Sequence, residues 1–302
     1  MTSFQLFTSM RYDPALRNSA VNQELNARFN ISQNDFYVFP YHRDRMLQAA
    51  GHFGFENAQA TLQNPEDLMA IIVNNITTHL SQIPVTSGVV AGQDASLRLK
   101  VIVNRDGGLD IQTGSTPPVS LEALFPQSLD LPQHRRESKP LRLSPLTGGG
   151  LTLGPHSFIP TSPDGHQPWP IYVDTETTTP DAFTTYKTTE RSVYDLARCR
   201  ACITKMTAQE EVLLVNTAGE IMEGSMTAPY FRRDGRWVTP PSYAGGQLGT
   251  TRRWALEKGL CVEGTVRAVD LEDGEDIWIS SGVRGFRRGK IHRRPDDLIK
   301  QP

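Results

Sequence analysis

The sequence has few cysteines, almost no excess of one charge and no long apolar run. Three cysteines among 302 residues are too few for a disulfide framework, and their odd number is more typical of a reducing compartment than of secretion. We therefore expect a cytosolic protein. Lys and Arg number 31 against 33 Asp and Glu, so no basic field favours a nucleic acid or an anionic membrane. This composition favours a small-molecule partner.

Export, membrane and metal signals are missing as well. The apolar start reaches Arg11 and Asp13 too soon for a secretory signal, and no stretch approaches the roughly 20 apolar residues of a spanning helix. The sequence contains no metal-ligand cluster, P-loop or GxSxG nucleophile turn, so we expect no metal site. Cys199 and Cys202 have CxxC spacing without further ligands, and helix packing is the expected role.

The patterns that are present predict helices and strands in the first half of the chain. A content of 38% hydrophobic and 21% charged residues is ordinary for a globular protein, and the length predicts two domains. Apolar residues at helical spacing predict one helix near residues 41–53, and Asn64 with Pro65 starts a second. Alternation over residues 97–103, followed by Asp-Gly-Gly at 106–108, predicts a hairpin.

The second half also mixes helix and strand. Residues 113–170 are rich in Pro, Gly and Ser and predict an irregular insertion with one short helix near Leu121. A strand is expected at 171–174, a helix capped by Thr188 or Thr189, and a strand at 212–215. We place the domain boundary between residues 176 and 177, which gives an α/β domain over 1–176 and a second domain over 177–302.

Four separated segments carry a family resemblance. They are residues 42–46 (HRDRM), 183–191 (FTTYKTTER), 220–227 (EIMEGSMT), and 249–253 (GTTRR) with its companion 280–285 (SSGVRG). In this order they resemble the motifs of the fold-type IV pyridoxal-phosphate enzymes, the class IV aminotransferase family. The resemblance extends over residues 6–53 and 171–290. It implies the two-domain α/β fold of D-amino-acid aminotransferase, with mixed sheets, and pyridoxal 5'-phosphate (PLP) as the cofactor.

The resemblance also implies a role for each matching residue. Lys187 matches the lysine that binds the cofactor covalently and then acts as the base, and Arg45 matches the arginine that binds the cofactor phosphate. Glu223 matches the carboxylate that keeps the pyridine nitrogen protonated. Taken alone, each would be an ordinary solvated surface charge. The other implied cofactor contacts are Ser225, Thr227, Thr250, Thr251, Ser281 and Gly282. Of these, Thr250 and Thr251 begin a helix that suits a phosphate.

The sequence departs from the family pattern at four of these motif positions. Glu190, Ala228 and Ser281 stand where asparagine is usual, and Gly282 stands where serine is usual. Each exchange changes one side-chain group that would form a hydrogen bond with the cofactor or with the substrate.

Two segments separate the possible reactions within the family. Residues 7–14 and 184–189 resemble most the eukaryotic aminodeoxychorismate lyases, which form 4-aminobenzoate, a folate precursor, and pyruvate. Arg11 is the candidate for a substrate carboxylate, and a structural salt bridge is its alternative role. Two other readings stay open: a class IV aminotransferase acting on an amino acid or amine, and a family member without catalysis. The family resemblance further implies a homodimer.

Overall fold

A computed structural model describes residues 4–82, 95–130 and 167–293. Within these ranges, helices flank two β-sheets of three and eight strands. The helices are α1 Ala20–Ala27, α2 Phe39–Phe53, α3 Glu56–Gln63, α4 Pro65–Ser81, α5 Leu121–Leu124, α6 Ala182–Thr185, α7 Ser192–Arg200 and α8 Thr250–Glu257. The strands are β1 Leu6–Tyr12, β2 Leu97–Val103, β3 Leu109–Ser115, β4 Trp169–Thr178, β5 Glu211–Asn216, β6 Ile221–Gly224, β7 Ala228–Arg233, β8 Arg236–Thr239, β9 Val262–Glu263, β10 Asp276–Ser281 and β11 Gly285–Ile291.

The small sheet is antiparallel, in the order β1-β2-β3. The predicted hairpin is confirmed: β2 and β3 pair from Val103 to Leu97, and the turn contains Gly107 with a left-handed backbone (φ 87°). One face of β1 and β2 packs on α2 and α4 through a buried apolar core. Arg98 and Lys100 alternate with buried residues of β2, so they lie on the opposite face of the sheet.

The two helices expected in the first half are confirmed, and two further ones were not predicted. Asn64 caps α4 by accepting from the Glu66 amide, with Pro65 at the first helical position. Helix α2 ends at Gly54, whose left-handed backbone (φ 64°) closes the last turn. Helix α3 buries only Ala58 and Leu62, and α1 buries one apolar residue, Leu25. With so few buried apolar residues, α1 and α3 show little helical periodicity in the sequence, and this is why the pattern did not predict them.

The large sheet is mixed, in the order β6-β5-β4-β11-β10-β7-β8-β9. Strand β4 is parallel to both of its neighbours, β5 and β11. The predicted boundary at residue 176 falls inside β4, so it divides one strand of this sheet. Because β4 pairs on both sides with strands from the C-terminal half, the structure assigns all of Trp169–Thr178 to the large sheet.

Apolar residues on the large sheet form a core of their own, and helix α7 covers β4 and β5 through Tyr194 and Ala197. The strand expected at 212–215 is confirmed as β5. The predicted cap of the helix is wrong, because α7 begins at Ser192, whose amide donates to the Glu190 carboxylate at 3.1 Å. The packing role expected for Cys199 and Cys202 is also wrong, since both are exposed.

Strand β1 connects the two sheets at the place where the motifs meet. The Phe7 amide donates to the Lys187 carbonyl at 3.1 Å, and the Thr189 amide donates to the Gln5 carbonyl at 2.8 Å. The Arg11 amide donates to the Gly282 carbonyl at 3.0 Å. These bonds place the 187–189 segment and the 282 loop beside β1. The short helix expected near Leu121 is confirmed as α5, and the predicted insertion between residues 131 and 166 lies outside the described residues.

Candidate active site

A cavity of about 380 Å³ lies between the polar face of the small sheet and the ends of several strands of the large sheet. The first sheet contributes Phe7, Ser9, Arg98 and Lys100, whereas the second contributes the ends of β6 and β10. All nine residues that the resemblance implies for the cofactor line this one cavity. They are Arg45, Lys187, Glu223, Ser225, Thr227, Thr250, Thr251, Ser281 and Gly282.

Lys187 follows the short helix α6, and its backbone is fixed by the hydrogen bond to Phe7. Its amine, Nζ, donates to Gln247 Oε1 at 3.2 Å and lies 5.1 Å from the centre of the Phe7 ring. Burial lowers the pKa of Lys187 well below its usual value, and the nearby Arg191 and Arg45 lower it further. A lower pKa increases the fraction of the amine that is neutral, which is the nucleophilic form.

Glu223 lies on β6 with its carboxylate buried in the cavity wall. Its Oε1 accepts a hydrogen bond of 2.6 Å from the Tyr194 hydroxyl. Burial raises the pKa of Glu223 to about 7, although the Tyr194 bond and the positive charge of Lys187 oppose the shift. The carboxylate can therefore exchange a proton near neutral pH.

Arg45 lies on α2, one turn after His42, and both side chains are buried. The Arg45 Nη2 donates to Thr8 Oγ1 at 2.7 Å, but its Nε is buried without a hydrogen-bond partner among the described residues. Burial lowers the pKa of Arg45 to about 10, so the guanidinium remains charged at neutral pH. An uncompensated buried donor on a charged group is a place where a ligand oxygen would be stabilised strongly.

Helix α8 presents its N-terminus to the same region. Gly249 precedes it without any side chain to cap the first amides, and helix starts leave such amides unpaired. The Thr250 hydroxyl is 3.5 Å from His42 Nε2, and the Thr251 hydroxyl is 2.7 Å from that of Ser280. The uncapped start of α8 and Arg45 both line the cavity, an arrangement suited to a phosphate dianion.

Gly282 has a steric reason to be glycine in this chain. A Cβ at this position would lie 2.6 Å from His42 Nε2 and 3.1 Å from the Ser9 carbonyl oxygen. The serine usual in the family would therefore displace His42 or the start of β1. The neighbouring Ser281 hydroxyl accepts from the Arg284 amide at 3.2 Å, which closes the turn.

A buried carboxylate that sequence reasoning missed, Glu211, organises the turn after β6. Its oxygens accept from the Ser225 hydroxyl at 2.6 Å, the Thr227 hydroxyl at 2.8 Å and the Met226 amide at 3.1 Å. The hydroxyl protons of Ser225 and Thr227 are thus used within the protein. Towards a ligand in the cavity, these two side chains present acceptor lone pairs.

Arg11 does not reach the cavity. Its side chain is fully buried and forms an ion pair with Asp13, with Nη2 to Oδ2 at 2.7 Å and Nε to the same oxygen at 2.8 Å. Its Nη1 donates to the Pro117 carbonyl at 3.0 Å. These structural contacts occupy the guanidinium. The structure therefore places Arg11 in its alternative role, a structural salt bridge, and not where a substrate carboxylate would bind.

The structure brings other side chains to the cavity that sequence reasoning did not select. Arg98 and Lys100 enter from β2, and Gln247 enters from the segment before α8. The alternation of β2 indicated that Arg98 and Lys100 share a polar face, but it did not indicate that this face lines the cavity. No local pattern distinguished Gln247. Of the departures from the family, Ala228 lines the cavity, whereas Glu190 directs its carboxylate to the start of α7.

PLP fits the residues present. The partnerless Arg45 Nε and the start of α8 suit its phosphate, Glu223 suits its pyridine nitrogen, and the Lys187 amine, whose pKa is lowered, suits its aldehyde. A metal is not indicated: within the described ranges no three His, Cys, Asp or Glu side chains are grouped as metal ligands. Among the same residues, no helix combines the length and apolar character needed to cross a bilayer.

Comparison with known proteins agrees with this architecture. Residues 151–290 match the model of the family described as amino-transferase class IV. A fold IV transaminase from Curtobacterium pusillum superposes with a TM-score of 0.55 at 14% identity, covering 97% of this chain and 82% of that protein. The chain has the fold of the class IV aminotransferases. A hypothetical aminotransferase from Mycobacterium tuberculosis, solved with PLP bound, shares this class IV fold with a TM-score of 0.52, 17% identity and coverage of 98% and 85%.

Curated relatives are similar over a shorter part of this chain. Aminodeoxychorismate lyase of Saccharomyces cerevisiae is 32% identical over 138 residues, which cover 41% of this chain and 37% of the yeast protein. A Schizosaccharomyces pombe protein provisionally named aminodeoxychorismate lyase is 31% identical over 121 residues, covering 38% and 52%. The chain thus spans about half or less of the length of the curated relatives that it matches.

Proposed function

We propose that this chain is a PLP-dependent lyase that converts 4-amino-4-deoxychorismate into 4-aminobenzoate and pyruvate. The observation that carries the proposal is the partly buried Lys187, which lines one cavity with the buried Glu223 and Arg45. The relatives named as aminodeoxychorismate lyases support this reaction over others of the family. The PLP ring, when bound, supplies an acceptor for the electron pair that is left when a substrate proton is removed.

Each of the three residues has a separate task in this proposal. Arg45 and the first turn of α8 bind the cofactor phosphate, and this anchors the ring without taking part in proton transfer. Glu223 carries a negative charge at the pyridine nitrogen and keeps that nitrogen protonated. Lys187 would hold the cofactor through its aldehyde, and its Nζ, once free, accepts the proton from the ring carbon that bears the substrate amine.

The reaction balances without water. Proton removal from the carbon that bears the amine is followed by cleavage of the bond between the adjacent ring carbon and the enolpyruvyl oxygen, so the ring becomes aromatic. The departing enolpyruvyl group takes up one proton and becomes pyruvate. Aromatisation makes the elimination effectively irreversible, and 4-aminobenzoate and pyruvate then leave the cavity.

The substrate has two carboxylates, and the cavity has cations for them. Arg98 and Lys100 line it from β2. Among the described residues neither forms an ion pair with an acidic side chain, although the charge of Asp110 acts on Lys100 and raises its pKa. Burial lowers the pKa of Lys100, and the neighbouring Arg98 and Arg191 lower it further, which is typical of crowded positive charge. An anionic substrate would relieve this repulsion. We assign Arg98 and Lys100, in place of Arg11, to the substrate carboxylates.

A direct assay tests the reaction. The purified chain, loaded with PLP and supplied with 4-amino-4-deoxychorismate, is expected to form 4-aminobenzoate and pyruvate in equal amounts. Lys187→Ala is expected to abolish both products and also the visible absorbance of the lysine-bound cofactor. Retention of that absorbance in Lys187→Ala would show that another lysine binds the cofactor, and absence of both products in the wild type would reject the lyase.

The second candidate is a class IV aminotransferase acting on an amino acid or amine. The transaminase structures that share this fold favour it. The two candidates differ in their response to an amino donor alone. Conversion of bound PLP to its amine form, without any added keto acid, would favour the aminotransferase. Failure of the folded wild type to take up PLP would favour the third reading, a member of the family without catalysis.

The wider context is proposed on the same basis. A lyase of this type would act in the cytosol as a homodimer and provide 4-aminobenzoate for folate synthesis, with no nucleic acid or membrane partner. We also propose that the helices and strands before β4 form one domain and that Trp169–Thr178 begins the second. Sedimentation of the purified chain tests the dimer, and limited proteolysis between β3 and β4 tests the division.

A further inference from the structure

Four polar side chains form a continuous chain of hydrogen bonds from Lys187 to Glu223. The Lys187 amine donates to Gln247 Oε1 at 3.2 Å, and Gln247 Nε2 donates to the Tyr194 hydroxyl at 3.2 Å. The Tyr194 hydroxyl in turn donates to Glu223 Oε1 at 2.6 Å. Gln247 and Tyr194 are the two members of this chain without a role in the proposed reaction.

The direction of these bonds determines the orientation of the Gln247 amide. Tyr194 has one hydroxyl proton, and its two other contacts are with acceptors, the ionised Glu223 carboxylate at 2.6 Å and the Thr184 carbonyl at 3.1 Å, so its lone pairs accept from Gln247. A flipped amide would point its oxygen at Tyr194, which has no second proton to give, and its NH₂ group at the donor amine of Lys187. Both contacts would then be lost, and the amide oxygen therefore faces Lys187.

The backbone on the N-terminal side of Gln247 is confined by close contacts. Gly245 has a left-handed backbone (φ 101°), and a Cβ there would lie 2.4 Å from Pro180 Cβ. A Cβ on Gly246 would lie 2.7 Å from the Met222 carbonyl oxygen and 3.1 Å from Glu223 Cβ. The segment that carries Gln247 is thus pressed against the strand that carries Glu223. It then leads through Gly249 into α8.

We propose that Gln247 is a positioning residue that binds the free amine of Lys187 whenever that amine is not attached to the cofactor. The proposal rests on the proposed role of Lys187 as the cofactor lysine. In the proposed reaction the substrate displaces Lys187, whose amine must then accept one proton from a defined direction. A single N–H donated to Gln247 Oε1 directs the remaining hydrogens and the lone pair of Nζ away from Gln247. The neutral amide does this without adding a charge.

The test compares two substitutions with opposite electrostatic effects. The pKa of Lys187 is measured in the cofactor-free full chain from the pH dependence of its acetylation by acetic anhydride, followed by peptide mass spectrometry. Gln247→Leu removes the acceptor of the protonated amine, so the pKa is expected to fall by about half a unit to one unit. Gln247→Glu puts a carboxylate at this distance, so the pKa is expected to rise by about one to three units.

Neighbouring charges and a control variant make the result interpretable. The charged groups that influence the Lys187 amine are Arg191, Arg45, Glu223 and Arg98, and both variants retain all four residues. Gln127→Leu makes the same chemical change at an exposed position and is expected to leave the Lys187 pKa unchanged. A general loosening of the site would shift both Gln247 variants in one direction. Shifts of opposite sign therefore identify the direct contact.

Two outcomes of the acetylation experiment would overturn the inference about Gln247. A separate absorbance measurement tests the proposed function. Wild-type pKa values in both Gln247 variants, or shifts of the same sign, would reject the role of Gln247. If Gln247→Glu does not fold, Tyr194→Phe replaces it: loss of the hydroxyl frees the amide to rotate, and a smaller fall than in Gln247→Leu is expected. The visible absorbance of the wild type after PLP addition is recorded separately. Its absence would reject the proposed function, whereas the acetylation experiment would still report on the contact.

Discussion

Tyr194 and Glu223 are joined by a hydrogen bond of 2.6 Å at the inner wall of the cavity. Tyr194 comes from α7 and Glu223 from β6, so the bond also ties the helix to the sheet. The hydroxyl favours the ionised carboxylate, while burial favours the protonated one, and burial is the larger effect because the pKa of Glu223 is raised to about 7. This balance has a measurable consequence for stability.

We expect Glu223 to make the cofactor-free protein less stable as pH rises from about 5 to 8. The pKa of Glu223 is about 4.5 in the unfolded chain and about 7 in the folded protein, so between these pH values only the folded state holds the proton. The stabilisation from Glu223 is therefore complete below pH 4.5 and is lost as the pH rises through 7. Glu223→Gln lacks this titration. The free energy of unfolding of the variant minus that of the wild type is expected to increase by about 2 kcal/mol between about pH 5 and pH 8. Urea unfolding at several pH values measures the difference, and a constant difference would contradict the raised pKa.

Arg45 is expected to be needed for the phosphate of PLP and not for its ring. Arg45→Ala should weaken PLP binding about ten- to a hundredfold, because charge-assisted hydrogen bonds contribute about 1.5–3 kcal/mol each. Pyridoxal, which lacks the phosphate, should bind the variant and the wild type equally. Arg43→Ala on the same helix is the control, since Arg43 Nε donates to the Leu62 carbonyl at 2.8 Å, away from the cavity. Equal weakening of both ligands would count against the phosphate contact.

Arg98 and Lys100 are expected to determine substrate affinity. Arg98→Ala and Lys100→Ala should each raise KM for 4-amino-4-deoxychorismate by about tenfold or more, since each removes a charged hydrogen-bond donor. Uptake of PLP should be unchanged. Steady-state kinetics check the first effect and absorbance titration the second, with Arg236→Ala at an exposed site of β8 as the matched control. Unaltered KM in both variants would remove these residues from substrate binding.

Arg11 is expected to show the opposite pattern, a loss of stability without a change in KM. Its ion pair with Asp13 is buried at both ends, and removal of one partner leaves an uncompensated charge. Arg11→Ala should therefore lower the free energy of unfolding by about 3 kcal/mol. Thermal or urea unfolding measures this cost, and KM is compared under conditions where the variant remains folded. A raised KM with normal stability would return Arg11 to the substrate site.

Much of the fold was predictable because local patterns report on local structure. Asn64 and Pro65 define the start of α4 through bonds within one helical turn, and the alternation of β2 requires only that one face be buried. The boundary at residue 176 could not be placed in this way. Whether β4 belongs to one domain or the other depends on β5 and β11, which are distant along the chain.

The sequence by itself determined the motif residues and their chemistry: Lys187, Arg45, Glu223 and the start of α8 are recognisable from short segments in a fixed order. Only the tertiary structure decided what surrounds them. It buried Arg11 against Asp13, and it directed Arg98 and Lys100 into the cavity. It also set Gln247 between Lys187 and Tyr194. The physical reason is that burial, pKa and hydrogen-bond partners depend on groups far apart in the chain, whereas a motif records only which side chains are present.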